Sequence, residues 1–476
     1  MRQDPEDPSP WRRLLGWLPG GPRSRRTPPP EQQGLRVAAI LDDFSATSFR
    51  PEADLLLLSP ENWAAELAAH RPELVLVESA WRGRDGQWAG KIAGNGTELG
   101  GILAWANAMG VPTVFWNKED PVHFWTFLAT TRGFDHVFTT DLDCIARYKS
   151  ALGHGRVHLL PFACQPQLHN PLELYPRRKA MSFAGAYYRR FPARMRVLES
   201  FVGSLPELCP IEIFDRNFGE DGPWKFPPEY ESLIVGTLPP ERIDLAYKGY
   251  RYTLNLNSVQ SSPTMFARRV YETLACNTLT ASNYSRGLRL MFGDMVPNAD
   301  DGPALLARLR AVAAQPSREA RLRLMALRKV MREHTCRDRL DFIRARTLSP
   351  DAPPVWRPPQ VVALAEARDS ATAARIAASF LAQSHTESRL ILVADDPAWG
   401  PAHPRIETHA RGSLGRLHLQ DLVGPRDWLA CLSTFDHYGP HYLTDLILAT
   451  RYSRASLIGK AAHFRWDADG PIHVDA

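Results

Sequence analysis

Short apolar runs that alternate with helical stretches constrain the fold of this chain more strongly than any other feature of its sequence. Runs of this length, in this alternation, are typical of the buried strands of a parallel α/β sheet. In the first third of the chain they lie at 35–41, 54–58, 74–78, 111–116, 136–139 and 157–161. Ligands of such sheets bind beyond the carboxyl ends of the strands. We therefore expect the polar residues at 42–43, 78 and 118–120, which end three of these runs, to lie near a site.

The same alternation returns twice further along the chain. Strand-like runs at 179–185, 211–214, 252–256 and 278–281 indicate a second α/β unit, and those at 360–364 and 390–394 a third. No G-x-G-x-x-G or P-loop motif is present, so the usual dinucleotide and nucleoside-triphosphate signals are absent. The predicted organisation is a disordered leader (1–34), two Rossmann-like domains (35–175 and 176–347), a proline-rich linker (348–359) and a third α/β domain (360–476).

Charge and cysteine usage narrow the class of protein. The formal net charge of +5 is too small for 476 residues to indicate a nucleic-acid binder. The six cysteines are scattered without a C-x-x-C pair, which favours reduced thiols in a cytoplasmic protein over a disulfide framework. No apolar run is long enough to span a bilayer. Two basic segments, at 11–18 and 301–350, are either solvated or in peripheral contact with the inner face of a membrane.

The stretch 262–277 predicts a helix between two loops. Ser262 is a suitable N-cap residue, Pro263 fits the first helical position, and Asn277 tolerates the left-handed conformation of a C-cap. Arg269 and Glu272 lie three residues apart and share a helix face. A helix N-terminus favours anions, and a carboxylate can bind sugar hydroxyls, so the stretch could form a nucleotide-diphosphate pocket. The alternative is an ordinary amphipathic helix with a solvated ion pair.

Arginines follow the predicted turn at Gly185. Arg189, Arg190 and Arg194 are candidates for phosphate binding, because a guanidinium group pairs with phosphate oxygens in a fork geometry. One of them would then neutralise a leaving diphosphate.

Two further pairs of polar residues are candidates. Glu119 and Asp120 precede a proline at a strand end, where the backbone is held extended. Either could serve as a general base or bind an acceptor, and the alternative is a pair that caps a loop. Asn255 and Asn257 flank a buried leucine and point the same way. They either face a cleft or satisfy neighbouring backbone groups.

Four blocks of the sequence resemble those of a known family. They are WNKEDP at 116–121, SFAGAY at 182–187, NLN at 255–257 and, most specifically, SPTMFARRVYETLAC at 262–276. Together they make positions 35 to about 345 similar to the CgeB-like (spore maturation protein) glycosyltransferases. The resemblance implies two tandem Rossmann-like domains in the GT-B arrangement, with the nucleotide-sugar donor on the second.

The resemblance also implies roles for individual residues. Glu272 maps to the glutamate that holds the nucleotide ribose, and Arg269 to a basic residue near the donor phosphates. Thr264 stands where many relatives carry a glutamate that contacts the hexose. The expected donor-binding residues are Glu272, Arg269, Arg268, Ser262, Thr264, Gly185, Arg194 and Asn257. Glu119 and Asp120 are the expected catalytic residues on the acceptor side.

The third unit resembles a shortened family-two GT-A glycosyltransferase. The blocks SFLAQS at 379–384 and LVADD at 392–396 carry this resemblance. It implies that Asp395 and Asp396 contact a nucleoside. Where relatives have an acidic cluster for a divalent metal, this chain has the single carboxylate Asp436.

The resemblances predict a glycosyltransferase that moves a sugar from a nucleotide sugar to a cell-surface glycan or glycoconjugate. No cofactor is expected for the GT-B site, and Mg²⁺ or Mn²⁺ is expected only if the GT-A-like unit is active. The alternatives are a non-catalytic donor-binding or scaffold protein of a polysaccharide assembly, or activity in the third unit. The expected partners are the nucleotide sugar and the acceptor.

Overall fold

The computed structural model describes residues 34–220, 222, 224–239, 242–351, 354, 356–416, 418–460, 463–465 and 473–475. The predicted leader, apart from Gly34, and its basic segment at 11–18 lie outside the described residues. Among the described residues, no helix combines the length and the apolar character that crossing a bilayer requires. All six cysteines are described and none is in a disulfide; five are buried and Cys431 is exposed.

The first unit is built on a six-stranded sheet in which all neighbouring strands run parallel, in the order β2-β1-β3-β4-β5-β6. Its strands are β1 (Arg36–Ile40), β2 (Asp54–Leu57), β3 (Leu74–Glu78), β4 (Thr113–Asn117), β5 (His136–Thr139) and β6 (Val157–Leu159). Its helices are α1 (Asp43–Phe49), α2 (Trp63–His70), α3 (Thr97–Met109), α4 (Phe124–Thr131) and α5 (Cys144–Leu152). The strands β3 and β4 are buried throughout, because both faces of a parallel sheet are covered.

The second unit is built on a five-stranded parallel sheet in the order β11-β10-β7-β8-β9. Its strands are β7 (Arg178–Gly185), β8 (Ile211–Asp215), β9 (Ile234–Gly236), β10 (Tyr250–Asn255) and β11 (Leu279–Ser282). Its helices are α6 (Pro192–Ser204), α7 (Asp244–Lys248), α8 (Arg269–Ala275), α9 (Arg286–Phe292), α10 (Gly302–Ala313), α11 (Pro316–Glu333) and α12 (Cys336–Thr347).

The third unit has a four-stranded parallel sheet in the order β14-β13-β12-β15. Its strands are β12 (Val361–Ala367), β13 (Ser388–Ala394), β14 (Ile406–Ala410) and β15 (Trp428–Cys431), and its helices are α13 (Ser370–Leu381), α14 (Leu419–Leu422) and α15 (Tyr442–Leu448). A separate antiparallel pair follows, β16 (His463–Arg465) and β17 (His473–Asp475). The predicted α/β fold with several Rossmann-like parallel sheets is therefore confirmed.

Helices α11 and α12 join the three units. The buried residues Cys336, Leu340 and Ile343 of α12 pack in the core of the first unit. On α11, Arg328 binds both carboxylate oxygens of Asp445 on α15, at 2.6 and 2.9 Å. Part of the basic segment 301–350 therefore holds the third unit in place.

The predicted helix at 262–277 is wrong in its first half. Residues 262–268 form a loop, and α8 begins only at Arg269. Side chains bind the amides of this loop: Ser262 Oγ accepts from the amides of residues 264 and 265, and Asn257 Oδ1 accepts from that of residue 267. Such bonds compete with the helical pattern. Asn277 has a φ of 54°, so its predicted left-handed conformation is confirmed.

Candidate functional site

The first two units meet across a cleft at the carboxyl ends of their central strands. Glu119 and His123 follow β4 of the first unit, and Arg190 follows β7 of the second. Arg190 is close enough to act electrostatically on both: its charge lowers the pKa of Glu119 and of His123, although burial has a larger effect on each. The predicted acceptor-side and donor-side segments therefore face each other.

Basic side chains gather where β7 ends at Gly185. The guanidinium of Arg269 donates a hydrogen bond to the carbonyl oxygen of Ala184. A Cβ atom at Gly185 would lie 3.0 Å from the Phe183 ring and in van der Waals contact with Arg269 Nη2 at 3.5 Å, so a larger residue would crowd the ring. The amide of Arg216 donates to the Gly185 carbonyl at 2.9 Å, which brings another arginine to the same strand end.

Arg194 is the unusual member of this group. Its side chain on α6 is buried, and its Nε and Nη1 atoms have no hydrogen-bond partner among the described residues. Burial, together with the charges of Arg269 and Arg216, lowers the pKa of Arg194 to about 10, although Tyr188 partly opposes this. The guanidinium lies over the ring of Tyr188, 4.7 Å from its centroid. Buried cations are normally paired, so this group is suited to receive an anion.

Glu272, the predicted ribose ligand, is also buried, but its carboxylate is already bound. One oxygen accepts from Arg268 Nη1 at 2.8 Å, and the other accepts from the hydroxyl of Tyr247 at 2.9 Å. Burial opposes ionisation, yet the charge of Arg268 and the bond from Tyr247 leave the pKa of Glu272 below its ordinary value. Each carboxylate oxygen can accept a second hydrogen bond, so a ribose hydroxyl would have to bind alongside Arg268 and Tyr247.

Arg268 also connects the two units. Its guanidinium lies 4.1 Å from the ring centroid of Phe44 on α1, and Lys118 Nζ lies 4.1 Å from the same ring. Lys118 is fully buried and binds Asp42 at 2.6 Å and Glu78 at 2.8 Å. These are strand-end residues that the sequence predicted to lie near a ligand site. They form a buried ion-pair cluster, which is a structural role.

Three predicted donor residues act inside the loop at 262–268 and its surroundings. Ser262 accepts from loop amides, and Asn257 is buried among Ser282, Asn283 and the loop backbone. Thr264 Oγ1 donates to the carbonyl oxygen of Thr140 at 2.8 Å and accepts from the amide of residue 142 at 2.9 Å. The structure thus gives all three a role in positioning the loop.

Glu119 has the properties of a proton acceptor at the cleft. Burial raises its pKa, and the charge of Lys118 and a hydrogen bond with Trp81 only partly oppose this. Trp81, 41% exposed, packs edge-on against His123 with ring centroids 4.8 Å apart. An exposed aromatic ring beside a half-buried carboxylate is a suitable surface for a sugar acceptor.

Asp120 lies behind Glu119 and does not reach the cleft. Its side chain is fully buried and accepts hydrogen bonds from Asn117 (2.9 Å), Thr139 (2.5 Å) and Tyr148 (3.2 Å). Burial raises the pKa of Asp120 to about 7. The geometry favours the loop-capping alternative for Asp120.

In the third unit, the predicted nucleoside contacts are occupied by the protein itself. Arg411 donates to both Asp395 and Glu366. Asp396 caps a short turn by accepting from the amide of residue 398, and Asp436 accepts from Tyr438. Within the part of the chain that the structure describes, no three His, Cys, Asp or Glu side chains are grouped so that they could hold a metal ion.

Sequence reasoning missed several contacts of these sites. Tyr247 and Arg411 carry no local signal, since their partners lie 25 and 45 residues away. Phe44 could have been found, because it directly follows the acidic residues that end the first strand. Trp81 follows a strand end in the same way.

A comparison with protein families supports the second unit as a sugar-transfer domain. Residues 197–345 match a family described as glycosyl transferase-like. The match includes Arg269 and Glu272 and excludes Arg194 and Glu119. A comparison with curated proteins finds no match.

Known structures with a similar fold include enzymes of sugar transfer. Sucrose-phosphate synthase of Thermosynechococcus elongatus is 14% identical at a TM-score of 0.41, over 60% of this chain and 75% of its own. A glycosyltransferase of Rickettsia africae is 10% identical at a TM-score of 0.43, over 65% of this chain and 89% of its own. Anabaena HepE, solved in complex with UDP and glucose, is 11% identical at a TM-score of 0.40, over 63% of this chain and 88% of its own. These TM-scores are too low to support an inference about function.

Proposed function

We propose that this chain is a glycosyltransferase that moves a sugar from a nucleotide-sugar donor to a glycan or glycoconjugate acceptor in the cleft between the first two units. The observation that carries the proposal is the buried guanidinium of Arg194, whose Nε and Nη1 have no partner among the described residues and which feels the charge of Arg269. A diphosphate group could accept hydrogen bonds from both arginines. The match of residues 197–345 to a glycosyl transferase-like family supports the same reading.

In this proposal the arginines stabilise the leaving group. The bond between the anomeric carbon and the diphosphate oxygen breaks, and negative charge develops on the departing nucleoside diphosphate. Guanidinium groups that are already in place and shielded from water stabilise that charge more strongly than they would in bulk solvent. We propose that they do so without a metal ion. Activity that persists in EDTA would support this, and activity that requires Mg²⁺ or Mn²⁺ would contradict it.

Glu119 is the proposed catalytic residue on the acceptor side. Its carboxylate would take the proton of the acceptor hydroxyl as that oxygen bonds to the anomeric carbon. Its raised pKa makes it a better proton acceptor near neutral pH than an ordinary glutamate. Asp120 supports it only indirectly, through the loop that both residues share.

The proposal is tested by nucleotide binding. UDP, GDP and dTDP are titrated into the protein by calorimetry, and nucleotide sugars are then screened for turnover. Arg194→Met should weaken binding of the preferred diphosphate by about 10- to 100-fold, because charge-assisted bonds are lost. The matched control is Arg196→Met, which lies two residues along α6 and is exposed. Equal affinity in the two variants would overturn the proposal.

A second candidate is a donor-binding protein without catalysis, within a polysaccharide assembly. The hydrogen-bonded state of Glu272 favours it, since the predicted ribose ligand is already bound to Arg268 and Tyr247. Such a protein would bind a nucleotide sugar but neither hydrolyse nor transfer it.

A further inference from the structure

The ring of Phe44, on α1 of the first unit, is in contact with cations of both units. Lys118 Nζ of the first unit and the Arg268 guanidinium of the second each lie 4.1 Å from its centroid. The face of an aromatic ring attracts cations, and the attraction is stronger where the groups are shielded from water. Phe44 is half-buried, and 34% of the Arg268 side chain is exposed. The ring therefore links the two units through a partly shielded contact.

The start of α1 holds this ring in a fixed position. Lys118 is fully buried and binds the carboxylates of Asp42, at the N-cap of α1, and Glu78, at the end of β3. Neither α1 nor Lys118 can move without breaking these charge-assisted hydrogen bonds, which are stronger than neutral ones. Phe44 directly follows the first residue of α1, so its ring offers Arg268 a fixed surface.

Arg268 in turn holds the carboxylate of Glu272. Its Nη1 atom donates to one carboxylate oxygen at 2.8 Å, and the carboxylate is almost fully buried. Because a carboxylate oxygen accepts more than one hydrogen bond, Glu272 is still able to bind a hydroxyl group. The ribose of a nucleoside diphosphate has such hydroxyl groups, whereas the phosphates suit the guanidinium of Arg194. Glu272 and Arg194 would then bind different parts of one ligand.

We propose that Phe44 is a positioning residue for the donor: its ring holds the Arg268 guanidinium against Glu272 and so orients that carboxylate toward the ribose. The ring does not contact the donor itself and acts only through Arg268. Loss of the ring should therefore weaken binding of the ribose and leave binding of the diphosphate unchanged. This inference rests on the proposed function, because it requires a nucleotide-sugar donor in the cleft.

Calorimetry with two probes tests this separation of roles. The first probe is whichever of UDP, GDP and dTDP binds most tightly, and the second is inorganic pyrophosphate, which has no ribose. Phe44→Leu should weaken binding of the nucleoside diphosphate by about 3- to 30-fold, as expected for a lost cation–π contact, and change that of pyrophosphate by less than about twofold. Phe44→Tyr keeps the ring and should bind both probes as the wild type does. Equal losses for both probes, or no loss for the nucleoside diphosphate, would overturn the proposal.

A double-mutant cycle tests the route through Arg268. Arg268→Met removes the cation, so adding Phe44→Leu to it should weaken nucleoside-diphosphate binding little further, because the ring then has no guanidinium to hold. Fully additive losses would show that Phe44 does not act through Arg268 and would overturn the proposal. Circular dichroism checks that each variant folds. If Phe44→Leu does not fold, Phe44→Met replaces it, because methionine fills the space of the ring more completely.

The matched control is Phe342→Leu on α12. Phe342 is also half-buried, packs against the core of the first unit, and has the Arg346 guanidinium 5.1 Å from its ring centroid. Its loss should lower the unfolding free energy and leave the affinity for both probes unchanged. A wild-type chain that binds no nucleoside diphosphate would overturn the proposed function together with this inference. A wild-type chain that binds one, with Phe44→Leu behaving as Phe342→Leu does, would overturn this inference alone.

Discussion

The carboxyl edge of the cleft and the carboxyl edge of the third sheet both carry arginine and carboxylate groups, but they balance these charges differently. At the cleft, Arg194 is buried and its Nε and Nη1 have no partner among the described residues; behind the cleft, Asp120 is buried without a bonded cation. In the third sheet, Arg411 binds both Asp395 and Glu366.

The difference shows where a ligand is needed. A buried charge without a partner lowers stability by several kcal/mol, so a fold keeps such a group only where binding compensates for it. The third sheet needs no ligand to complete its charge balance. The cleft is therefore the better candidate for the donor site, and the third unit is better suited to structure or assembly.

The sharpest test of the cleft is Glu119→Gln. If Glu119 is the base, sugar transfer should fall by about 10²- to 10⁴-fold while the affinity for the nucleoside diphosphate stays the same. Initial rates and calorimetry measure the two quantities. Glu61→Gln, an exposed control on the first unit, should change neither. Full activity in the Glu119→Gln enzyme would show that Glu119 is not the general base.

Because Asp120 is buried without a bonded cation, its contribution to the free energy of unfolding should depend on pH. Because its folded pKa of about 7 lies above the unfolded value of 3.8, its contribution to stability is full below about pH 4 and is lost as the pH rises through 7. From pH 4 to pH 8, Asp120→Asn should therefore gain about 3 kcal/mol in unfolding free energy relative to the wild type. Urea unfolding at the two pH values measures this. The exposed control Asp143→Asn should show no such gain.

Arg269→Met should weaken binding of the nucleoside diphosphate by about 10-fold or more, because one charge-assisted contact with phosphate is lost. Calorimetry measures the change. Arg286→Met, at a side chain that is 54% exposed, serves as the control. If Arg269→Met binds the nucleoside diphosphate with unchanged affinity, Arg269 does not contact the phosphates.

Arg411→Met tests the third unit and should have the smallest effect. It should lower the unfolding free energy by about 1 kcal/mol, since the pairs with Asp395 and Glu366 are partly exposed. Nucleotide binding should be unaffected. A loss of nucleotide binding in Arg411→Met would show that the third sheet, and not the cleft, binds the donor.

Local patterns predicted much of the fold. The strands were visible because each buried run is contiguous in sequence, and the left-handed Asn277 followed from its place after a helix. The loop at 262–268 was not predicted, because its conformation depends on bonds to Asn257 and Thr140. Such tertiary bonds override helix propensity.

The site was predicted less completely. The sequence placed Arg194 among three arginines, and only burial in the folded chain distinguishes it from Arg189 and Arg190. Likewise, Glu119 and Asp120 are neighbours with similar chemistry. The packing of the first sheet makes one accessible to the cleft and the other inaccessible.

The bonds of Thr264 determine how the cleft could open. They attach the loop of the second unit to the backbone after β5 of the first, and α12 crosses between the same two units. Opening at these contacts would break hydrogen bonds and expose the buried residues of α12. Thr140 in turn donates to the carbonyl oxygens of Lys118 and Asp120, so the Thr264 contact fastens the second unit beside the segment that carries Glu119.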